Sequence, residues 1–249
     1  MAKAPSLYDR LWSGTWGDLQ SKGPVHRHSM EQLLRIIAGL DVRTILDIGC
    51  GSGVNLSALA RQNRYELTGA EVSKKALELA KRNVPTARLL ILDAAKECLP
   101  ETFDLVISVQ VVEHVPDDLS FLKHMTRMAR KYVLVSTMKG RMRRSELGIG
   151  HVRNYSEVEL MRKLEMTGLS AIRIFKWGFP FYSPLYRTIS EFLPGGPPVG
   201  PMGRLGRLGS QVLYELYRFN IPNRGDVITA LGTVPARERD EISLAGASR

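Results

Sequence analysis

Short apolar runs of strand length alternate along this chain with longer segments whose apolar residues recur at helical spacing. The first run centres on Ile45, Leu46 and Ile48, and a helix is predicted from Val54 to Arg61. A second strand is predicted over Glu66–Val72, followed by a helix from Ser73 to Asn83 with Ser73 as N-cap. A third strand covers Arg88–Asp93 and a fourth Phe103–Val109. The fourth is almost continuously apolar, as a parallel strand buried on both faces requires. Pro116 and Asp117 open a helix running to about Ala129, and Lys131–Thr137 reads as strand five. A helix begins at Ser156, with Glu159 completing a capping box, and ends at Gly168. Ala171–Trp177 is strand six, and Gly225–Val234 reads as a last strand.

The chemistry concentrates where the first strand ends, in Asp47-Ile-Gly-Cys-Gly-Ser-Gly53. Gly49, Gly51 and Gly53 stand at alternate positions between strand and helix, the layout of a nucleotide-binding unit. A dinucleotide fingerprint spaces its glycines as G-x-G-x-x-G and seats pyrophosphate on the helix N-terminus. Here the third glycine comes one residue early, and Asp47 would repel pyrophosphate. That carboxylate suits a cationic amino-acid moiety instead.

The stretch D-I-G-C-G-S-G resembles the first motif of the class I S-adenosylmethionine (SAM) dependent methyltransferases. F-D-L-V-I-S-V-Q-V-V-E-H-V-P-D, from Phe103 to Asp117, resembles the post-strand motif of the members acting on quinone precursors and other small metabolites. The resemblance covers about residues 30–175 and weakens at both ends. It implies a Rossmann-like α/β fold: a seven-stranded, mostly parallel sheet of order 3-2-1-4-5-7-6, helices on both faces and the last strand antiparallel. The implied cofactor is SAM, and Asp47, Gly49, Cys50, Gly51 and Gly53 would meet it. Glu71 would accept hydrogen bonds from the ribose hydroxyls, with Val72 beside it. Asp93 and Ala94 correspond to the position facing the adenine, and Gln110 would lie beside the methionine portion.

Two histidines are candidates for proton removal or acceptor binding. His114 lies in the E-H-V-P segment. His151 lies in G-H-V-R-N-Y-S-x-x-E-L, which resembles the acceptor-side loop of the same enzymes; a purely structural histidine fits either place as well.

Composition narrows the partners. Cys50 and Cys98, the two cysteines, suggest neither a disulfide framework nor a zinc site, and no metal is expected. No signal peptide or membrane-spanning run is read, which makes a cytoplasmic protein the expectation. The net charge is +10, from 35 Lys and Arg against 25 Asp and Glu. The densest basic cluster is Lys139–Arg144; a solvated loop, an anionic substrate and RNA are its three readings. Nucleic acid is disfavoured, because no aromatic residue interleaves that cluster and no Asn-Pro-Pro-Tyr type motif follows strand four.

The expected organisation is an N-terminal helical cap (1–40), a SAM-binding core (41–177), an inserted segment (178–224), a final core strand (225–234) and a disordered tail (235–249). In the cap, Tyr8, Trp12 and Trp16 either cover the cofactor or pack on the core, and a helix is predicted over Ser29–Ala38. The insertion begins aromatic, passes through a Gly/Pro stretch and ends with Leu205, Leu208, Val212, Leu216 and Phe219 at helical spacing, flanked by Arg204, Arg207 and Arg218. An acceptor-pocket lid, a dimer interface and a membrane-surface contact compete for it, and packing on the protein's own core suits the stripe equally.

The function these readings support is methyl transfer to an oxygen, nitrogen or carbon nucleophile of a small-molecule acceptor, by a monomer or homodimer. RNA methylation, methylation of a lipid-linked acceptor at a membrane surface and non-catalytic SAM binding are the alternatives. A nicotinamide-dependent oxidoreductase is disfavoured by the glycine spacing.

Overall fold

The structure, a computed structural model, describes Trp12 and residues 17–192 and 203–235. The expectations for Tyr8, Trp16, the Gly/Pro stretch and the tail beyond Pro235 fall outside these residues. Helices α1 (Gly17–Lys22) and α2 (Pro24–Ala38) precede strand β1 (Thr44–Ile48). Then follow α3 (Val54–Ala60), β2 (Glu66–Glu71), α4 (Lys74–Asn83), β3 (Arg88–Ile91) and β4 (Phe103–Val109). A 3-10 turn at Val112–His114 leads into α5 (Asp118–Met128) and β5 (Ala129–Met138). The remainder is α6 (Arg144–Gly148), α7 (Glu157–Met166), β6 (Ser170–Trp177), α8 (Arg187–Phe192), α9 (Arg204–Tyr217) and β7 (Val227–Thr233).

The seven strands form one sheet in the order β3-β2-β1-β4-β5-β7-β6, as the resemblance implied. β1 to β5 pair in parallel, and β7 runs antiparallel between β5 and β6. Side chains alternate between the faces along each strand, so a strand apolar at successive positions feeds two cores. Ile45, Leu105, Ile107 and Leu134 pack on one face with Leu33 and Ile37 of α2 and Leu56 of α3. Leu46, Val106, Val133 and Val135 pack on the other with Leu122 and Met125 of α5 and Leu160 of α7. Each fully buried side chain of this kind contributes about 1.5–3 kcal/mol.

The caps settle local details. Ser73 accepts from the Ala76 N–H at 3.2 Å, as its place before α4 predicts. Ser156 likewise accepts from Glu159 N–H at 3.1 Å, but the reciprocal half of the expected capping box does not form: Glu159 turns to Lys163 at 3.3 Å. A capping contact forms instead at α6, where Glu146 accepts from the Arg143 N–H at 2.8 Å.

The insertion is docked at both ends. Tyr182, Tyr217 and Val227 build a third, aromatic core with Trp177, Tyr186 and Leu213. The imidazole of His28, from α2, stacks against Trp177 (5.1 Å) and Tyr214 (4.5 Å) and hydrogen-bonds the Tyr214 carbonyl at 2.9 Å. Ser210 donates to the Lys22 carbonyl at 2.6 Å. The stripe Leu205, Leu208, Val212 and Phe219 does not pack on the core: it faces solvent, while Leu213 and Tyr217 face inward.

Candidate active site

The carboxyl ends of β1, β2 and β4 meet around the glycine turn. Asp47 pairs with Gly69 of β2 and Ile107 of β4, which seats its carboxyl in the sheet with no exposed surface. Neither of its oxygens has a hydrogen-bond partner among the described residues. Burial, with the charge of Glu71 adding to it, pushes this carboxyl up to about 7. A buried carboxyl left in that condition is costly unless something donates to it.

Gly49, Gly51 and Gly53 all adopt left-handed backbone, at φ of 72°, 53° and 77°. Glycine alone takes such angles without steric cost. Close approach adds a second demand: a Cβ on Gly49 would lie 2.4 Å from Val111, and one on Gly51 would lie 2.6 Å from the indole of Trp12. Trp12 is buried, and its ring therefore covers the turn. Cys50 turns the other way. Its thiol packs towards β2, where a Cβ on Gly69 would lie 2.9 Å from the sulfur, and burial raises its pKa strongly. Only the Cys50 backbone lies with the turn.

Glu71 ends β2 and ties the turn together. One carboxylate oxygen accepts from the Gly51 N–H at 3.0 Å; the other accepts from the N–H groups of Val72 (2.9 Å) and Ser73 (3.0 Å). This clamp on the glycine turn was not read from the sequence. Val72 projects its side chain to solvent beside it. Asp93 accepts from the Ala95 N–H at 3.2 Å and pairs with Lys96 at 2.7 Å, while the Ala94 carbonyl is bonded by Nδ1 of His124 at 2.8 Å. Gln110 follows β4 in left-handed backbone, φ 57°, a conformation uncommon outside glycine. Its side-chain nitrogen is buried with no partner among the described residues.

Behind Gln110, two segments distant in sequence dock as one unit. Val152 N–H donates to the Glu113 carbonyl at 2.9 Å, and the Arg153 guanidinium donates to the carbonyls of Val115 (2.9 Å) and Pro116 (2.8 Å). Tyr155 donates to Asp118 at 2.7 Å. These contacts bring His114 and His151 edge to face, with ring centroids 4.5 Å apart. Burial, then the neighbouring His151, lowers His114 to about 4; burial also lowers His151. Both rings are therefore neutral at neutral pH, the form that accepts a proton or binds a metal. Glu113 completes the group. It is fully buried, accepts from Thr137 Oγ1 at 2.8 Å, and is pushed up to about 7 by burial. Glu113, His114 and His151 each offer a ligand atom within 4.8 Å of the others, a donor set a divalent cation accepts. No metal was expected from the sequence, because the three converge only through the docked loops.

The His151 loop is held from behind by the insertion. Arg187, almost wholly buried, pairs with Glu146 (2.5 Å) and Asp226 (2.6 Å), and Glu146 accepts from the His151 N–H through its carbonyl at 3.0 Å. The basic cluster of the sequence is partly ion-paired: Lys139 and Lys176 share Glu157 at 2.7 and 3.1 Å, and Arg141 and Arg143 share Glu191 at 3.2 and 3.1 Å, which leaves a positive excess.

Parts of the chain resemble known proteins in sequence, and its fold resembles solved structures. Residues 46–135 match the family model described as a methyltransferase domain. A ubiquinone biosynthesis O-methyltransferase of Vibrio cholerae is 30% identical over 135 residues, covering 49% of this chain and 55% of the relative. Another, of Paracidovorax citrulli, is 31% identical over 150 residues, covering 55% and 60%. The chain thus spans little more than half the length of the curated relatives it matches. Among solved structures, the N-methyltransferase NodS of Bradyrhizobium japonicum superposes with a TM-score of 0.60 at 16% identity, covering 92% of this chain and 96% of that one. A phosphoethanolamine-type N-methyltransferase of Haemonchus contortus gives 0.64 at 15% identity, covering 95% and 62%. Residues 46–135 thus match a methyltransferase domain, and the solved structures show that the chain shares the fold of SAM-dependent methyltransferases.

Proposed function

We propose that the protein is a SAM-dependent methyltransferase acting on a small metabolite, and that the accepting atom is a hydroxyl oxygen. One observation carries the reading: beside three left-handed glycines, the Asp47 carboxyl and the Gln110 amide are buried without partners among the described residues. An amino-acid moiety supplies what both need, an ammonium for the carboxyl and a carboxylate for the amide. NodS and the nematode enzyme were crystallised with S-adenosylhomocysteine, the product of such a transfer.

Asp47 and Gln110 would hold the amino-acid end of the cofactor, and the glycine turn would admit it closely. Glu71 would meet the ribose hydroxyls, and Val72, Asp93 and Ala94 would border the base. When bound, SAM supplies an already activated sulfonium methyl, so the protein's task is chiefly alignment. The choice of oxygen follows the curated relatives, named as O-methyltransferases, and the two neutral imidazoles. A phenolic hydroxyl is largely protonated at neutral pH, and His151 or His114 would take its proton as the new bond forms.

The test is calorimetry followed by a panel of small catechols and phenols. SAM and S-adenosylhomocysteine should bind and NAD should not, and one class of hydroxylated aromatic should become methylated. NAD binding without SAM binding would overturn the reading.

A further inference from the structure

Helix α9 is apolar on two opposite sides. At 3.6 residues per turn, Ser210, Leu213 and Tyr217 lie on one side, and Leu205, Leu208, Val212 and Phe219 lie about half a turn away. The first side is explained: Ser210 and Tyr217 are buried against α2 and the aromatic core. The second is not. Leu205, Leu208, Val212 and Phe219 are 85%, 63%, 60% and 73% exposed. A contiguous apolar stripe on a helix ordinarily faces another surface, so this outward side calls for an occupant.

We propose that the outward face of α9 docks on an anionic lipid bilayer. Charge complementarity selects that occupant. Arg204 and Arg207 lie along one border of the apolar stripe at its N-terminal end, Arg218 follows the helix on the same border and pairs with Glu215 at 3.0 Å, and the chain carries a net charge of +10. Leucines and a phenylalanine bordered by arginines are the pattern of a helix lying in a headgroup layer, its apolar side among acyl chains and its cations at the phosphates. The helix has 14 residues and no helix among the described residues is long and apolar enough to cross a membrane, so the contact is peripheral. The helix before it adds Phe192, 81% exposed, within the same insertion. Antiparallel two-fold pairing of α9 with a second copy would set both rows of arginines on the same edge, which disfavours self-association as the occupant.

The face is built on a rigid support. His28 stacks on Tyr214, Arg27 lies over the Tyr214 ring at 3.4 Å, and Ser210 bonds the end of α1. Changing the outward residues therefore leaves the inward contacts standing.

The experiment is co-sedimentation of the full chain with vesicles of phosphatidylcholine alone or mixed with phosphatidylserine. The expected result is binding to the mixed vesicles only, weakened at least about tenfold by half-molar salt. Leu208→Ser with Val212→Ser keeps the charge and removes apolar area; it should weaken binding at least about tenfold with an unchanged thermal midpoint. Arg204→Gln with Arg207→Gln should weaken it comparably. Failure to bind mixed vesicles at low salt would overturn the proposal. So would binding indifferent to the serine pair, which would mean general charge attraction. A dimer in sedimentation velocity that the serine pair dissociates would assign the face to a second copy.

Discussion

His114 and His151 meet edge to face, their planes at 77° and their centroids 4.5 Å apart, although one follows β4 and the other precedes α7. The pair lies against the fully buried Glu113. Neutral rings in that place can receive a proton without first losing one. We expect His151→Ala to lower turnover by about a hundredfold, within the usual range for a lost general base. Its affinity for S-adenosylhomocysteine should stay within about twofold. Single-turnover kinetics beside calorimetry separates the two, and wild-type turnover would leave His151 a purely structural role.

Gly51 is constrained twice, by its φ of 53° and by the Trp12 indole 2.6 Å from where a Cβ would stand. Gly51→Val should abolish detectable cofactor binding while the far-UV circular dichroism of the sheet persists. The distinguishing variant is Trp12→Ala in the same background. If Trp12 alone were the obstacle, the double variant would recover binding; we expect it not to, since the branched side chain would also fill the space the cofactor needs.

Glu71 does more than its place at a strand end suggested. Its carboxylate receives N–H groups from Gly51, Val72 and Ser73, so removing it loosens the turn as well as the ribose site. Glu71→Ala should weaken S-adenosylhomocysteine binding by about 1–3 kcal/mol, the scale of charge-assisted hydrogen bonds. Glu71→Gln should retain part of the affinity, because one amide oxygen still accepts. Equal affinities for all three proteins in calorimetry would remove Glu71 from the ribose site.

What could be read without coordinates was what is local. The glycine spacing, Asp47 two residues before it and Glu71 at the next strand end are set within short stretches, and the sheet order followed from the resemblance they carry. The third strand was read too long, to Asp93, because β3 is an edge strand whose ladder with β2 stops at Ile91. His114 and His151 were each found in a motif, but their convergence depends on Val152 and Arg153 reaching the carbonyls after β4, a tertiary fact. The partner of Trp12 was equally invisible, since helical spacing reports a face and not what the face covers. The direction of α9 was undetermined for a specific reason: Leu213 and Tyr217 form one apolar side and Leu205, Leu208 and Val212 another, and periodicity alone cannot choose between them. The readings for Tyr8, Trp16 and the tail beyond Pro235 concern residues outside those described.

Arg187 joins the insertion to the His151 loop through Glu146 and Asp226, with only 4% of its side chain exposed. Removing one partner from a buried ion pair leaves the others desolvated and uncompensated, at a cost of about 3–5 kcal/mol. Arg187→Met should therefore lower the thermal midpoint by roughly 10 °C in a chain of this size. Arg187→Lys should recover only part of it, because an ammonium cannot reproduce the fork that spans both carboxylates. Thermal unfolding followed by circular dichroism checks both. A midpoint unchanged in Arg187→Met would mean that water replaces the guanidinium without loss.

Asp47 makes ligand binding depend on pH with a definite sign. Burial, reinforced by Glu71, holds its carboxyl at about 7 in the free protein, so it is protonated through the weakly acidic range. An ammonium brought beside it favours the ionised form and pulls that pKa down. Binding must then release a proton wherever the free protein holds one, and each pH unit below about 7 should weaken affinity by up to about tenfold. Above about 7 the carboxyl is already ionised, and this dependence should disappear. Calorimetry with S-adenosylhomocysteine from pH 5.5 to 8, in buffers of different ionisation enthalpy, reads both the affinity and the proton count. Asp47→Asn should bind more weakly at pH 8 and lose the proton release, while keeping a neutral side chain of the same shape in the sheet. A wild-type profile flat across this range, or an unchanged proton count in Asp47→Asn, would remove Asp47 from the amino-acid end of the site.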